Sequence, residues 1–362
     1  MYFILFIITI LSGIAGVASY IAGYVPPTAH YFFGLLAMSS PLWIGLNGVL
    51  LVFWVFKKWK NVFFPLITLL IISPNIYRSY GFNEPNKVNL EDDIIKIISY
   101  NVQVFNRYNY DTSHDSTPVD SMVGFLIQED ADVICLQEYY TCRKGNEVYN
   151  IDKRLKKAYP YAVREIFLTT GSYNDFGQVI LSKHPIVYSQ KLKEKRGGNF
   201  MFYADIKKGE DIIRIYSAHL ASISLSNNVS VDIQKSKSSR LKVLSKIRNG
   251  FELRTKQVKP LVKSIQDCPY PLIVCADLND VPYSYAYNHI NSHLANAFEV
   301  AGSDFGITYN SSRDNKYLFF LRIDNQFFSD KNLRCLSLQT KDNMKQVDHF
   351  PLVGLYKLKK KH

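Results

Sequence analysis

An α/β domain carried on a membrane-embedded N-terminal region is the architecture this sequence predicts, and three observations predict it. Residues 1–80 contain no Asp or Glu and only four basic residues, Lys57, Lys58, Lys60 and Arg78, whereas all 31 acids of the 362-residue chain lie beyond them. After residue 93, short β-branched runs alternate with stretches of helical pattern, which is the order of an α/β fold. Several of those runs end on Asn, Glu, His or Asp, so polar groups recur where apolar strands stop.

The membrane region comes first in the chain. Tyr2 to about Tyr24 and Tyr31 to Phe56 are uncharged, and each reaches the roughly 20 residues a helix needs to cross the hydrocarbon core. Asn61 to Tyr77 is a shorter third candidate interrupted by Pro65 and Pro74. A cleaved signal peptide is the rival reading of the first stretch, but no Lys or Arg precedes it and further apolar stretches follow. Lys57, Lys58 and Lys60 concentrate charge between the second and third stretches, so the positive-inside rule turns this loop to the cytoplasm. The expected product is a multi-pass protein of the cytoplasmic membrane whose domain after about residue 80 faces the periplasm or exterior. Trp54, Trp59, Tyr77 and Tyr80 suit the interfacial belt. Residues 81–93 are polar and read as a linker, and 94–362 as one domain outside the apolar region.

Strands are expected over Ile94–Val102, Asp132–Glu138, Gly177–Lys183, Phe200–Ile206 and Ile212–Leu220, the last two forming a hairpin around Lys207–Asp211. Helices are expected over Val119–Glu129 and Ile151–Lys157, with a long basic amphipathic one over Ser238–Gln266. Asn106–Thr117 and Ser222–Lys237 read as loops. Pro271 to Ala276 is an uncharged run that stops at Asp277, with Asn279 two residues on. In a strand these two side chains point the same way, at the C-terminal end where open α/β sheets place ligands; an Asx turn closing the strand is the alternative. Leu321–Phe328, Leu333–Thr340 and Val347–Val353 complete the strand candidates.

Composition narrows the partners. Beyond residue 80 there are 39 basic against 31 acidic residues, an excess that favours polyanions, either nucleic acid or an anionic membrane surface. Cys135, Cys142, Cys268, Cys275 and Cys335 have no CxxC spacing, and no disulfide framework or zinc site is expected.

The ordered set Ser99-Tyr100-Asn101-Val102, Leu136-Gln137-Glu138, Ser217-Ala218-His219-Leu220, Ala276-Asp277-Leu278-Asn279, Arg322-Ile323-Asp324 and Asp348-His349-Phe350-Pro351-Leu352 resembles the endonuclease/exonuclease/phosphatase superfamily, the DNase I-like fold, over residues 94 to 357. Ala276 and Val347 stand where that family usually has Gly and Ser, and Asn325-Gln326 replaces a more typical stretch, but no chemical group is lost. The resemblance implies a four-layer α/β sandwich of two packed mixed β-sheets flanked by helices. It implies hydrolysis of a phosphoester with Mg²⁺, or Mn²⁺ in its place, held by Glu138, Asn101 and Asp348. By the same resemblance Asp277 orients or deprotonates the attacking water and Asn279 hydrogen-bonds the phosphoryl group. Asp324 fixes His349, and His219 is a second histidine on the phosphate side. The implied activity is that of a phosphodiesterase or nuclease. A phospholipid or inositol-phosphate hydrolase is the alternative, and an inactive binding module a third. Arg254 and Gln257 are read as packing the long helix to the sheet.

Overall fold

The computed structural model describes residues 2–83, 94–192, 199–223, 237–310 and 320–359. Most of the predicted linker, the basic residues Lys193, Lys195 and Arg196, most of the Ser222–Lys237 stretch, Ser311–Lys316 and the end of the basic tail lie outside the described residues.

The apolar N-terminus folds as helices α1 (Tyr2–Ala22), α2 (Phe32–Met38), α3 (Ser40–Lys57), α4 (Phe63–Ile71) and α5 (Ser73–Ser79). Two of them, α1 and α3, are long and apolar enough to cross a membrane. The third stretch is broken: Pro74 enters the first turn of α5, and the segment bends by 64° between Ile71 and Ser73. Polar side chains turn inward, as they do where lipid offers no partner. Asn47 Nδ2 donates to Ser12 Oγ at 2.8 Å, and Asn75 Nδ2 donates to Ser40 Oγ at 3.1 Å. Trp54 departs from its expected place at the interface: it is fully buried and donates through Nε1 to Thr9 Oγ1 at 2.8 Å. Trp59 is exposed.

The rest of the chain supplies strands β1 (Ile94–Asn101), β2 (Val133–Cys142), β3 (Tyr161–Thr170), β4 (Asn174–Ser182), β5 (Ile186–Lys191), β6 (Met201–Lys208), β7 (Asp211–His219), β8 (Leu272–Asp277), β9 (Ala295–Asn296), β10 (Asp324–Phe328), β11 (Leu333–Thr340) and β12 (Leu352–Leu358). Helices α6 (Arg107–Ser113), α7 (Thr117–Gln128), α8 (Ile151–Leu155), α9 (Lys237–Gln266), α10 (Tyr285–Asn291) and α11 (Ala297–Ala301) connect them. One six-stranded sheet runs β11-β12-β1-β2-β4-β3 and the other β9-β10-β8-β7-β6-β5. Each has one parallel pair at its centre, β1 with β2 and β7 with β8, and antiparallel neighbours around it.

Alternation along each strand divides the core. Ile95 and Ile97 of β1, Val133 and Cys135 of β2, and Ile213, Ile215, Ile273 and Cys275 of the facing sheet fill the space between the sheets. Ile98 and Tyr100 turn outward onto Val119, Met122 and Leu126 of α7. Val274 and Ala276 turn outward onto Val258, Leu261 and Ile265 of α9. The result is helix, sheet, sheet, helix: the four-layer sandwich. All five cysteines are free thiols, and four of them are buried.

The N-terminal helices are joined to this sandwich by specific bonds. Asn288 Nδ2 donates to Gly23 O at 3.0 Å just past the end of α1. Ser79 Oγ and Tyr283 OH lie 2.6 Å apart, and Arg322 Nη2 donates to Arg78 O at 2.8 Å at the end of α5.

Candidate active site

The two parallel pairs bring their C-terminal ends to one rim. Register places His219 of β7 beside Asp277 of β8, and Asp324 of β10 on the other side of Asp277. Asp324 begins its strand instead of ending it. Since β10 runs antiparallel to β8, its start and the end of β8 share the rim. From the other sheet, Asn101 closes β1 opposite Gln137, and Glu138 follows at a bulge in β2 where pairing with β4 shifts between Leu136 and Tyr139. Glu138 takes φ +49°, a left-handed conformation that turns its carboxylate out of the ladder.

Asp277 lies at the centre and is 0% exposed. Asn101 Nδ2 reaches across the sandwich to donate to Asp277 Oδ2 at 2.9 Å and sits 3.3 Å from Glu138 Oε1. The Asn101 oxygen accepts from Gln103 N at 3.0 Å. The chain beyond Asn101 is strained: Gln103, Val104, Phe105 and Asn106 all have φ between +42° and +58°, which is costly for β-branched Val104 in particular. Phe105 N bonding to Val102 O and Tyr149 OH bonding to Phe105 O hold that turn in place. Strain of this kind persists only where surrounding contacts over-determine it.

Asn279 does not continue the strand. It has φ +49°, its N–H donates to Asp277 Oδ1 at 2.8 Å, and its amide nitrogen donates to Leu220 O at 3.0 Å. The Asx-turn reading therefore holds and the strand does not carry Asn279 alongside Asp277: the strand stops at Asp277, whose carboxylate closes the turn at the rim, while Asn279 bonds back to the end of β7. His349 Nδ1 lies 2.9 Å from Asp324 Oδ2, both groups buried. Burial opposes a charged imidazole, yet the facing Asp324 carboxylate, with Asp277 and Asp348 adding to its field, pushes the His349 pKa up to about 10. Burial and the nearby Asp277 charge also raise Asp324, while His349 lowers it. Asp324 thus holds the Nδ1 side of the ring, and the two groups titrate as a pair.

His219 Nε2 is buried without a hydrogen-bond partner, 3.5 Å from Asp277 Oδ2 and 3.8 Å from Glu138 Oε1. An orphaned ring nitrogen between two carboxylates, one of them 39% exposed, fits a position that receives a charged ligand. The oxygen-rich donors beside it suit a hard divalent cation. A second grouping, Asp277, Asp324 and His349, has ligand atoms within 4.8 Å of one another. There, however, Asp324 is already engaged with the imidazole of His349. Asp348 adjoins His349 and contributes negative field to it. Arg254 donates to Asp280 Oδ2 at 2.8 Å and to Ala221 O at 2.9 Å, and Gln257 Oε1 accepts from Ala221 N at 2.7 Å. Both brace the loops that follow β7 and β8 from behind.

Sequence reasoning missed Thr308 and Tyr309. Thr308 Oγ1 accepts from the N–H groups of Ile323 and Asp324 at 3.0 Å each, and the Tyr309 ring packs edge-on to His349 with centroids 5.0 Å apart. Ile307-Thr308-Tyr309 is visible in the sequence as a short apolar run, but nothing local to it signals contact with His349.

Residues 98–342 match the pattern of the endonuclease/exonuclease/phosphatase family, and the chain belongs to it. Residues 2–79 match a domain described only as being of unknown function. Among solved structures, an endonuclease/exonuclease/phosphatase from Beutenbergia cavernae is 16% identical, with 74% of this chain and 72% of that one covered and a TM-score of 0.52. The catalytic domain of human nocturnin with bound sulfate is 15% identical over 75% of this chain and 97% of that one, with a TM-score of 0.51. TDP2 from D. rerio, complexed with a single-strand DNA product, is 16% identical over 73% and 99%, with a TM-score of 0.50. At these identities the likeness is one of fold. No curated protein matches the chain.

Proposed function

We propose that the chain is a membrane-anchored, divalent-metal-dependent phosphoester hydrolase, with residues 94–362 as its catalytic domain and the helices before residue 80 as its anchor. The observation that carries the reading is the bond from Asn101 to Asp277, which joins the two sheets at one buried carboxylate flanked by His219, Glu138 and the Asp324–His349 pair. Asp277, held by Asn101 and by Asn279 N–H, orients a water and accepts its proton. His349, fixed through Nδ1 by Asp324, donates from Nε2 to a phosphoryl or leaving oxygen. Glu138 would be the principal metal ligand and Asp348 a further candidate, while Asn101, whose oxygen accepts from Gln103 N and whose amide nitrogen faces Glu138 and Asp277, would fix those carboxylates unless its amide turned over. A Mg²⁺ or Mn²⁺ bound there would supply charge at the phosphoryl group.

A phosphodiester is the first substrate class in this reading, and the DNA product seen with the D. rerio relative makes nucleic acid its first example. A lipid or inositol-phosphate ester is the second, favoured by bonds from Gly23, Arg78 and Ser79 that fasten the membrane helices to the sandwich. The full-length protein, assayed with and without EDTA against plasmid DNA, RNA, a sphingomyelin-type lipid and a phosphoinositide, should hydrolyse one class only when Mg²⁺ or Mn²⁺ is present. Undiminished turnover in metal-free buffer would sink the metal assignment, and no turnover of any substrate would sink the reading.

A further inference from the structure

The junction between α5 and the sandwich carries an aromatic ledge that neither the fold nor the catalytic chemistry uses. Tyr77, Phe82 and Phe305 are 58%, 63% and 64% exposed, and Tyr80 is half-buried among them. Their rings pack edge to face: Tyr77 with Phe82 at 5.7 Å, Tyr80 with Phe82 at 5.0 Å and Tyr80 with Phe305 at 5.2 Å. Tyr77 belongs to α5, the end of the last apolar segment, whereas Phe305 belongs to the catalytic domain. An antiparallel pair, Gly81 with Asp304 and Phe82 with Ser303, ties the two parts together.

Large exposed aromatic clusters in a water-soluble surface mark an interaction site. We propose that this ledge is seated in the headgroup layer of the bilayer on the side where the catalytic domain lies, so that the domain rests on the membrane as well as being tethered to it. Continuity decides the occupant: the cluster begins on α5 itself and extends onto the catalytic domain at the ends of the helices that enter the bilayer. Aromatic rings, and those of Tyr above all, favour the boundary between headgroups and hydrocarbon. The ledge also bears on the site. Tyr309, whose ring packs on His349, is four positions after Phe305, so that imidazole lies within about 20 Å of the ledge. Phe350 N donating to Thr308 O at 2.7 Å and Thr308 Oγ1 receiving Asp324 N–H make that short strap part of the site's wall.

The inference rests on the membrane reading and not on the hydrolase reading, and the test keeps them apart. Full-length protein carrying p-benzoylphenylalanine at position 305 is reconstituted into vesicles of phosphatidylcholine and phosphatidylglycerol, recovered by flotation and irradiated. Mass spectrometry should find phospholipid adducts at position 305. The same probe at Tyr188, exposed on edge strand β5, should give none. Adducts at 305 only to this chain or to a second copy, or equal lipid labelling at both positions, would overturn the proposal. Protein that fails to float overturns it together with the membrane reading. Phe305→Ser should leave turnover of soluble bis(p-nitrophenyl) phosphate unchanged. A loss there equal to that on vesicle-borne ester would make the ledge structural and overturn the proposal. Absence of turnover even in the unaltered chain would refute the hydrolase reading while the adducts still decide this one.

Discussion

Asp277 has more at stake than any other side chain in the site. Its two oxygens accept from Asn101 Nδ2 and Asn279 N–H, and His219 Nε2 stands within 3.5 Å. Asp277→Asn keeps a carbonyl oxygen for the Asx turn but removes the base and sets an amide against the Asn101 amide. Turnover should fall by about 10²- to 10⁴-fold with the thermal midpoint close to that of the unaltered chain, as read by kcat beside a melting curve; most of the activity surviving would remove Asp277 from the role. Asp277 stands out in the sequence as the acid that ends an uncharged run, a position the Asx turn it forms also explains. Its partnership with Asn101 does not stand out, because 176 residues and the gap between two sheets separate them. The bulge that turns Glu138 outward was equally hidden, since only pairing with β4 reveals the extra residue.

At the scale of elements, the sequence yields the buried strands and misses the exposed ones. β3 and β5, both sheet edges with mostly uncovered side chains, show neither an unbroken apolar run nor clean alternation. Helix α6 forms where polar residues predicted a loop, its Tyr110 packing against Tyr149 from outside the local sequence. Asp132, just before β2, shows how the two sheets are pinned at the end away from the site. It accepts from Lys96 N at 2.8 Å in one sheet and from Lys208 Nζ at 3.0 Å in the other, with His184 Nε2 at 2.6 Å. Burial would raise its pKa, but these partners outweigh burial and lower it. A depressed carboxylate contributes stability that is present above the unfolded value near 3.8 and lost as pH falls through the folded value. Asp132→Asn should therefore cost about 1.5–3 kcal/mol at neutral pH and flatten the acid limb of stability below about pH 4. Urea melts from pH 7 down to pH 2.5 check it; an acid limb as steep in the variant as in the parent would assign that limb to other carboxylates.

At the scale of the whole molecule, orientation follows from what sits at each end of α1. Lys58 Nζ lies over the Tyr2 ring at 5.3 Å, so the lysine turn is beside the start of this helix. Gly23, just beyond its end, accepts from Asn288 of the catalytic domain. A helix of 21 residues is about 31 Å long, close to the thickness of the hydrocarbon core. The lysine turn and the sandwich thus lie at opposite ends of a helix as long as the hydrocarbon core is thick, a separation the sequence could only infer by counting spans, and one of those spans is bent. By the positive-inside rule the lysine loop is expected in the cytoplasm, which predicts the sandwich on the opposite face even if the α4–α5 segment does not cross as one straight helix. Alkaline phosphatase fused after His362 should be active in cells, and green fluorescent protein fused there should be dark. The reverse pattern would place the site in the cytoplasm, return intracellular nucleic acids to the substrate list, and mean that the lysine turn beside the start of α1 faces outward against the charge rule.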